Sequence, residues 1–468
     1  MRTAIVWFRN DLRIHDHEAL CKALEENERV IPFYCFEEKQ FGKTAFGSEK
    51  TGSFRAQFLI ESVSELQNNL KALGSDLIVR TGETAKQIHE LAIEVQAESI
   101  YTFKAIHDEE IQIQKLVEEN FEGKINYFFG STLFHINDIP YAYQDTPNVY
   151  TEFRKGVEKE SKVRELFATP KELPELEQSI ERGKIPDLEH FGLSSLIMDE
   201  RAALKVKGGE KVGLSRLKYY LFDSKELSLY KKKRNGLIGA DYSSKLSFWL
   251  WNGCLSPRKI YWEVKKYEQE IEKNQSTYWL IFELIWRDYF KFISLKHGNA
   301  IFYLDGIKNE RYDWKVDREL FDKWAQATTG VPFIDANMRE LNQTGFMSNR
   351  GRQNVASFLI KELGLDWRMG AEYFESKLID YDVASNYGNW MYLAGVGNDP
   401  RGRYFNIISQ AKRYDSEGKY VKLWIPELQE LDKNVVHHPW TATEDLFGKN
   451  SVDYPTPMVI AEYWKKHY

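Results

Sequence analysis

Over the first 130 residues, short β-branched or aromatic runs alternate with amphipathic stretches, and no other feature constrains the fold as strongly. TAIVWF (3–8), RVIPFYCF (29–36), DLIVRTG (76–82), AESIYTF (97–103) and KINYFF (124–129) read as buried strands. Helical patterns lie between them, the longest over 52–74, which closes on Gly74. Such alternation builds a parallel sheet with helices on both faces, so the chain is expected to open with a Rossmann-like α/β domain. No G-x-G-x-x-G follows the first strand, and the usual nicotinamide reading fails.

Residues 131–200 change character. Pro140, Pro147, Pro170, Pro174 and Pro186 interrupt a Lys/Glu-rich stretch, as in a connector laid over a surface. From about 201 the pattern is helical to near 410, with stops at Gly298, Gly345 and Gly364. The expected division is therefore an α/β domain over 1–130, a connector over 131–200 and a large all-α domain over 201–468.

With 43% hydrophobic and 29% charged residues, the chain is not a disordered one. No apolar run approaches the ~18–20 residues of a membrane span. Cys21, Cys35 and Cys254 have neither disulfide-framework density nor metal-ligand spacing. Together with an opening that lacks a signal core or transit-peptide composition, this leads to the expectation of a reducing, cytoplasmic setting. The net charge of −6 argues against a polyanion partner only on average, because residues 205–270 hold 15 Lys/Arg against 7 Asp/Glu. The run Lys231, Lys232, Lys233, Arg234 is either a solvated helix end or part of a basic groove.

Four constellations could carry chemistry. In FELIWRDYF (282–290) and the turn before it, Trp279, Glu283, Trp286 and Phe290 share a helix face, with Arg287 alongside. Charges among aromatics need partners, so this is an ion pair of the core or a site. In TGFMSNRGR (344–352), Asn349, Arg350 and Arg352 follow a Gly turn and suit a phosphate or a heterocycle's carbonyls, or serve as caps and surface charges. In LIDYDVASNYGNW (378–390), Asp380, Asp382 and Asn386 sit among apolar residues. They lack the dense oxygen shell of a calcium loop but could receive a flavin's N–H groups, with Arg352 balancing Asp380. In ADYSSKLSFWL (240–250), Ser243, Ser244 and Ser247 interrupt a helix-start pattern, a phosphate seat or ordinary caps.

In this order behind an α/β domain, these segments resemble the photolyase/cryptochrome family, in its cryptochrome DASH branch. The resemblance runs nearly end to end, from VWFRNDLRIHDHEAL (6–20) through LSPRK (255–259), FELIWRDYF and TGVPFIDANMREL (329–341) to QAKRYDSEGKYVKLWIPEL (410–428) and VHHPW (436–440). KTGSFRAQFL (50–59), RNGLIGADYS (234–243) and GVGNDPRGRYFN (395–406) resemble the DASH branch in particular.

The resemblance implies FAD in the helical domain. Tyr230 and the run Ser243, Ser244, Lys245, Leu246, Ser247 would contact its diphosphate and adenine side. Arg287, Asn349, Arg352, Asp380, Asp382 and Asn386 would contact the flavin. Trp314, Trp367 and Trp390 match a photoreduction chain from surface to flavin, although any one of them alone would read as core. Glu283 matches the carboxyl that hydrogen-bonds a cyclobutane pyrimidine dimer, and Trp286 the aromatic packed on it. Arg234, Asn349 and Arg350 would meet the flanking backbone. Glu109 matches an acidic contact to a folate antenna, 5,10-methenyltetrahydrofolate, or else serves the helix dipole.

Tyr392 stands where photolyases outside the branch place a second pocket Trp. Phe346 replaces a common Trp, Phe248 a common Pro and Lys245 an Arg. A smaller, more polar ring stacks less strongly on an extruded base, and flipping costs least from single strands. The expected function is light-dependent dimer repair in single-stranded or looped DNA by a monomer, with RNA left open as a second partner. A blue-light receptor is the alternative, and the short segment after VHHPW, which suggests no extended output region, favours the enzyme.

Overall fold

The structure is a computed structural model and describes residues 2–399, 401–441 and 453–468. Met1, Pro400 of the 395–406 motif and residues 442–452 after VHHPW lie outside the described residues.

The five β-rich runs become β1 (Thr3–Trp7), β2 (Arg29–Glu37), β3 (Ile78–Gly82), β4 (Ser99–Phe103) and β5 (Lys124–Phe128). They form one parallel sheet in the order β3-β2-β1-β4-β5. Ile5 pairs in register with Ile31 on one side and Ile100 on the other. The crossovers are α1 (Glu18–Glu26), α2 (Ser53–Ala72), α3 (Thr84–Val95) and α4 (Asp108–Asn120). Alternation along β1 sends Ala4 and Val6 into one core with Leu20 and Val63, while Ile5 and Trp7 join Ile88 and Leu91 in another. Strand order reverses at β1, which opens a crevice beyond the carboxyl ends of β1 and β4, where sheets of this kind receive ligands.

The 131–200 stretch is mostly irregular, yet it contains α5 (Tyr150–Glu160), with Tyr150, Phe153 and Val157 buried. These follow the i, i+3, i+7 spacing of an apolar helix face. The helical half begins with α6 (Glu210–Lys218), α7 (Tyr230–Lys233), α8 (Ser247–Leu250) and α9 (Pro257–Glu270). Its longest member is α10 (Gln275–His297), started by an Asn274 capping box and ended at Gly298. Then come α11 (Arg318–Ala325), α12 (Pro332–Thr344), α13 (Asn349–Ser357), α14 (Trp367–Lys377), α15 (Val383–Ala394), α16 (Ile407–Tyr414) and α17 (Lys419–Trp424). Gly345 ends α12 in the left-handed conformation at φ +66°.

Buried charge locks the two halves together. Arg258 of α9 donates to Asp16 at 2.8 Å, and Glu210 of α6 accepts the Ile14 and His15 amides at 2.9 and 3.0 Å. On α10, Asp288 accepts the Leu133 and Phe134 amides, each at 2.9 Å. Asp288→Ala would leave two buried donors without acceptors, so a loss of about 3 kcal/mol of stability is expected, read as a lowered urea midpoint.

Candidate functional site

The turn between α14 and α15 gathers the acidic motif. Asp380 accepts from Arg352 Nη2 at 2.8 and 3.0 Å, and Arg352 is steadied by its Nε donating to the Met347 carbonyl at 2.9 Å. Asp382 is the N-cap of α15, accepting from the Ser385 amide at 2.9 Å, a place that favours a carboxylate through the free amides and the dipole. Its second oxygen faces Lys291 at 3.3 Å and Arg287 at 3.8 Å, both from α10. Burial pushes the Asp382 carboxyl up, but Lys291 and Arg287 outweigh it and hold it well below the carboxylate range. One turn on, Asn386 donates to the Ala371 carbonyl at 3.0 Å, which leaves its carbonyl oxygen and a second amide N–H to offer.

These side chains line one cavity together with Asn349, Gln353 and Trp390. Gln353 Oε1 is buried there with no hydrogen-bond partner. A guanidinium that donates to ring carbonyls, a carboxylate that accepts a ring N–H, and the Asn386 and Gln353 amides around one cavity suit the edge of an isoalloxazine. The residues present therefore fit the flavin of FAD. Neither Tyr230 nor the 243–247 run lines this cavity.

A second, larger cavity of about 540 Å³ lies between the sheet crevice and the helical half. Its size is that of a cofactor site. Glu109 lines it, paired with Lys50, and so do Arg55, Glu375 and Asp382. Burial pushes Glu375 up to about 7 despite Arg55, whose guanidinium lies 4.7 Å over the Tyr381 ring. Arg287, expected at the flavin, lines this second cavity, donating to the Ser131 and Leu250 carbonyls at 2.6 and 3.0 Å. Asp382 belongs to both walls.

On the half-buried face of α10, Glu283 hydrogen-bonds Arg234. Arg234, expected against a nucleic-acid backbone, is thus the counter-ion of the carboxyl itself. Burial raises the Glu283 pKa and Arg234 only partly offsets it. One turn on, Trp286 stacks on Tyr150 at 3.5 Å and 10°, and meets Tyr392 edge-on at 5.8 Å and 82°. Arg350 donates to Asn235 at 3.1 Å and lies 4.6 Å over the Tyr414 ring.

The serine run differs from the helix-start expectation. Only the single turn α8 begins there, and none of the serines caps it by a side-chain hydrogen bond. Arg216 instead draws in the carbonyls of Ala240, Ser243 and Ser244 at 2.9, 3.3 and 3.1 Å, which rigidifies the loop. Tyr230 is buried at the start of α7. Lys245 is buried at φ +56° with its ammonium 3.3 Å from the Tyr242 ring centroid, and burial lowers its pKa to about 7. Leu246 is core.

The three tryptophans form a graded series. Trp390 is 2% and Trp367 0% exposed, while Trp314 is half-buried. A methyl group at Gly370 would overlap the Trp390 ring, and Gly370 is three residues along α14 from Trp367, on the same face. A bridge from Lys315 to Leu365 sets Trp314 beside the start of α14.

Sequence reasoning missed Lys291, Gln353, Arg55 and Arg216. Lys291 lies one turn beyond Arg287 and could have been found as a second cation on that face. Arg216 bonds carbonyls 24 to 28 residues further on, Arg55 adds to its local bonds with Lys50 and Thr51 a contact over the distant Tyr381 ring, and Gln353 Oε1 is unpaired, so helical periodicity does not mark them. Among the described residues, no helix is long and apolar enough to cross a membrane, and no acidic, His and Cys cluster could hold a metal ion.

Comparison with known proteins gives matches over both halves. The family model described as DNA photolyase matches residues 4–176, and that of the FAD binding domain of DNA photolyase matches 279–467. A cryptochrome DASH of Gloeobacter violaceus is 51% identical over 466 residues, covering 98% of this chain and 93% of that protein. The chain belongs to the photolyase/cryptochrome family, in the cryptochrome DASH branch. The structure of a Synechocystis cryptochrome superposes with a TM-score of 0.96 at 45% identity, covering 100% of this chain and 99% of that one. A class III photolyase from Agrobacterium tumefaciens gives 0.84 at 28% identity, covering 100% and 96%. The α/β domain and the helical FAD-binding domain expected from the sequence are those of the family.

Arg352→Ala would leave Asp380 buried without its cation, an uncompensated charge worth about 3 kcal/mol. The expected outcome is a lower unfolding temperature and a preparation depleted in FAD, measured by calorimetry and by the absorbance ratio of flavin to protein.

Proposed function

We propose that this chain splits cyclobutane pyrimidine dimers in single-stranded or looped DNA under blue light, with FAD in the cavity of Arg352, Asp380, Asp382 and Asn386. The observation that carries the reading is Glu283, a half-buried carboxyl with a raised pKa, one helical turn from Trp286 on the same half-buried face of α10. A receptor that only senses light has no use for a proton donor beside an aromatic clamp. The family membership and the fit of the cavity wall to a flavin support it further.

Bound there, FAD supplies the light-driven one-electron chemistry. The chain's own work is positioning and electrostatics. Arg352 and Asn386 would face the flavin edge, and Asp382, held as an anion by Lys291 and Arg287, would accept a ring N–H. Trp286 and Tyr392 receive a base dimer taken out of the stack, and Glu283 donates a hydrogen bond to a pyrimidine carbonyl. Arg350 and Asn349 stand at the rim, where a nucleic-acid backbone would pass. Trp314, Trp367 and Trp390 relay an electron inward to keep the cofactor reduced, each indole oxidising in turn. Glu109, with Lys50 on the larger cavity, would hold a folate antenna, which supplies light capture.

The deciding experiment illuminates the purified FAD-loaded protein with dimer-containing oligothymidine, single-stranded or in duplex, in the presence of a thiol. Loss of dimers is expected, faster in the single strand. Equal rates in the two would falsify the single-strand preference, and flavin bleaching with no repair would assign the chain to signalling.

Two variants test the pocket. Glu283→Ala should lower kcat/KM about tenfold or more, the value of one buried hydrogen bond, while Glu283→Gln keeps a donor and most of the activity. Because the Glu283 pKa is raised, its protonated form persists above the usual carboxyl range and is lost as pH rises. Wild-type activity should accordingly fall with rising pH through that titration, and Glu283→Gln should flatten the profile. Tyr392→Trp enlarges the stacking ring and should tighten binding of duplex dimers by about 1 kcal/mol, read by filter binding.

A further inference from the structure

Beyond Trp314 the aromatic series continues outward. The Tyr312 ring lies 5.1 Å from that of Trp314, with 35° between the planes. The Trp314 amide donates to the Tyr312 carbonyl at 3.1 Å, and this tight turn folds the two rings against each other. The turn is anchored on both sides of Lys315, whose amide donates to the Gly364 carbonyl at 2.8 Å and whose carbonyl accepts from the Asp366 amide at 2.9 Å. Tyr312 is 46% exposed, more than any indole of the series. Its hydroxyl donates to Glu310 Oε2 at 3.0 Å, and that hydrogen bond raises the pKa of the phenol.

A neutral phenol gives up an electron readily only if its proton leaves with it. A carboxylate already accepting the phenolic hydrogen bond is placed for that transfer. We propose that Tyr312 is the terminal electron donor of the chain, oxidised by Trp314 while its proton passes to Glu310. One electron moves from the phenol to the indole radical cation of Trp314, restoring the neutral indole. The O–H bond of Tyr312 breaks, a new O–H bond forms on the Glu310 carboxyl, and a neutral phenoxyl radical remains at the surface. Net charge across the three groups is zero before and after. Return of the electron requires the proton to come back from Glu310, so the separated state is held longer than one that ends on Trp314. The exposed ring also puts the vacancy within reach of a small thiol in solution, which the buried Trp367 and Trp390 are not.

The inference rests on the tryptophan series acting as the electron path proposed above. The test uses the FAD-loaded protein, its Tyr312→Phe, Glu310→Gln and Trp314→Phe variants, transient absorption after a blue flash, and electron paramagnetic resonance of the frozen, illuminated sample. In the wild type the final protein radical should carry the spectrum of a tyrosyl. Tyr312→Phe, which keeps the ring and removes the hydroxyl, should end on a tryptophan radical that recombines several-fold faster. Glu310→Gln keeps a hydrogen-bond acceptor but removes the base, and should slow tyrosyl formation roughly 100-fold. Trp314→Phe should abolish the tyrosyl. A wild-type radical of tryptophan type, with decay unchanged in Tyr312→Phe, overturns the role of Tyr312 and leaves the tryptophan path standing. A flavin that is bound but not photoreduced in the wild type overturns the path and this inference together.

Discussion

The carboxylate of Asp382 is the constraint around which the helical half is arranged. It caps α15, it stands opposite the two α10 cations Arg287 and Lys291, and it forms part of the wall of both cavities. Two cations thus meet one buried anion on the wall the cavities share, and the Asp380–Arg352 pair stands on the other side of the turn. Electrostatics at the two cavities are therefore joined through a single residue. Any group bound in one changes the field felt in the other, because buried charges are little screened.

Helix α10 does for the site what Asp382 does for the charge. Trp279, Glu283 and Trp286 occupy the half-buried face of the helix, Arg287 and Lys291 turn toward the second cavity, and Asp288 ties the helix to the chain leaving the sheet. A rigid 23-residue helix with a capping box fixes the spacing among these groups to the helical repeat. The stack of Tyr150 on Trp286 adds a wall from α5, so the irregular 131–200 stretch is also part of the site's support.

Much of this was legible locally. The five strands and the long second helix follow from apolar periodicity, and Gly298 and Gly345 stop helices for the conformational reason read from the sequence. Asp382 and Asn386 share a face because they are four apart, and Arg352 does balance Asp380. Illegible were contacts between distant segments: Arg216 on the serine loop, Gln353 without a partner, Arg234 committed to Glu283, and Arg287 turned to the second cavity. The serine run failed as a helix start because its backbone carbonyls are claimed by Arg216 from α6, a residue whose own sequence context is that of an ordinary helix.

By itself the sequence determined the five strands, the long helices and which branch of which family the chain joins, because periodicity and ordered motifs are properties of neighbours along the chain. Tertiary structure decided which charges neutralise one another, which acceptor stays unpaired, and that Tyr312 lies against Trp314 with Glu310 at its hydroxyl. The physical reason is range. Hydrophobic patterning and capping act within a few residues, whereas burial, charge pairing and ring contact depend on distances that only the packed chain sets.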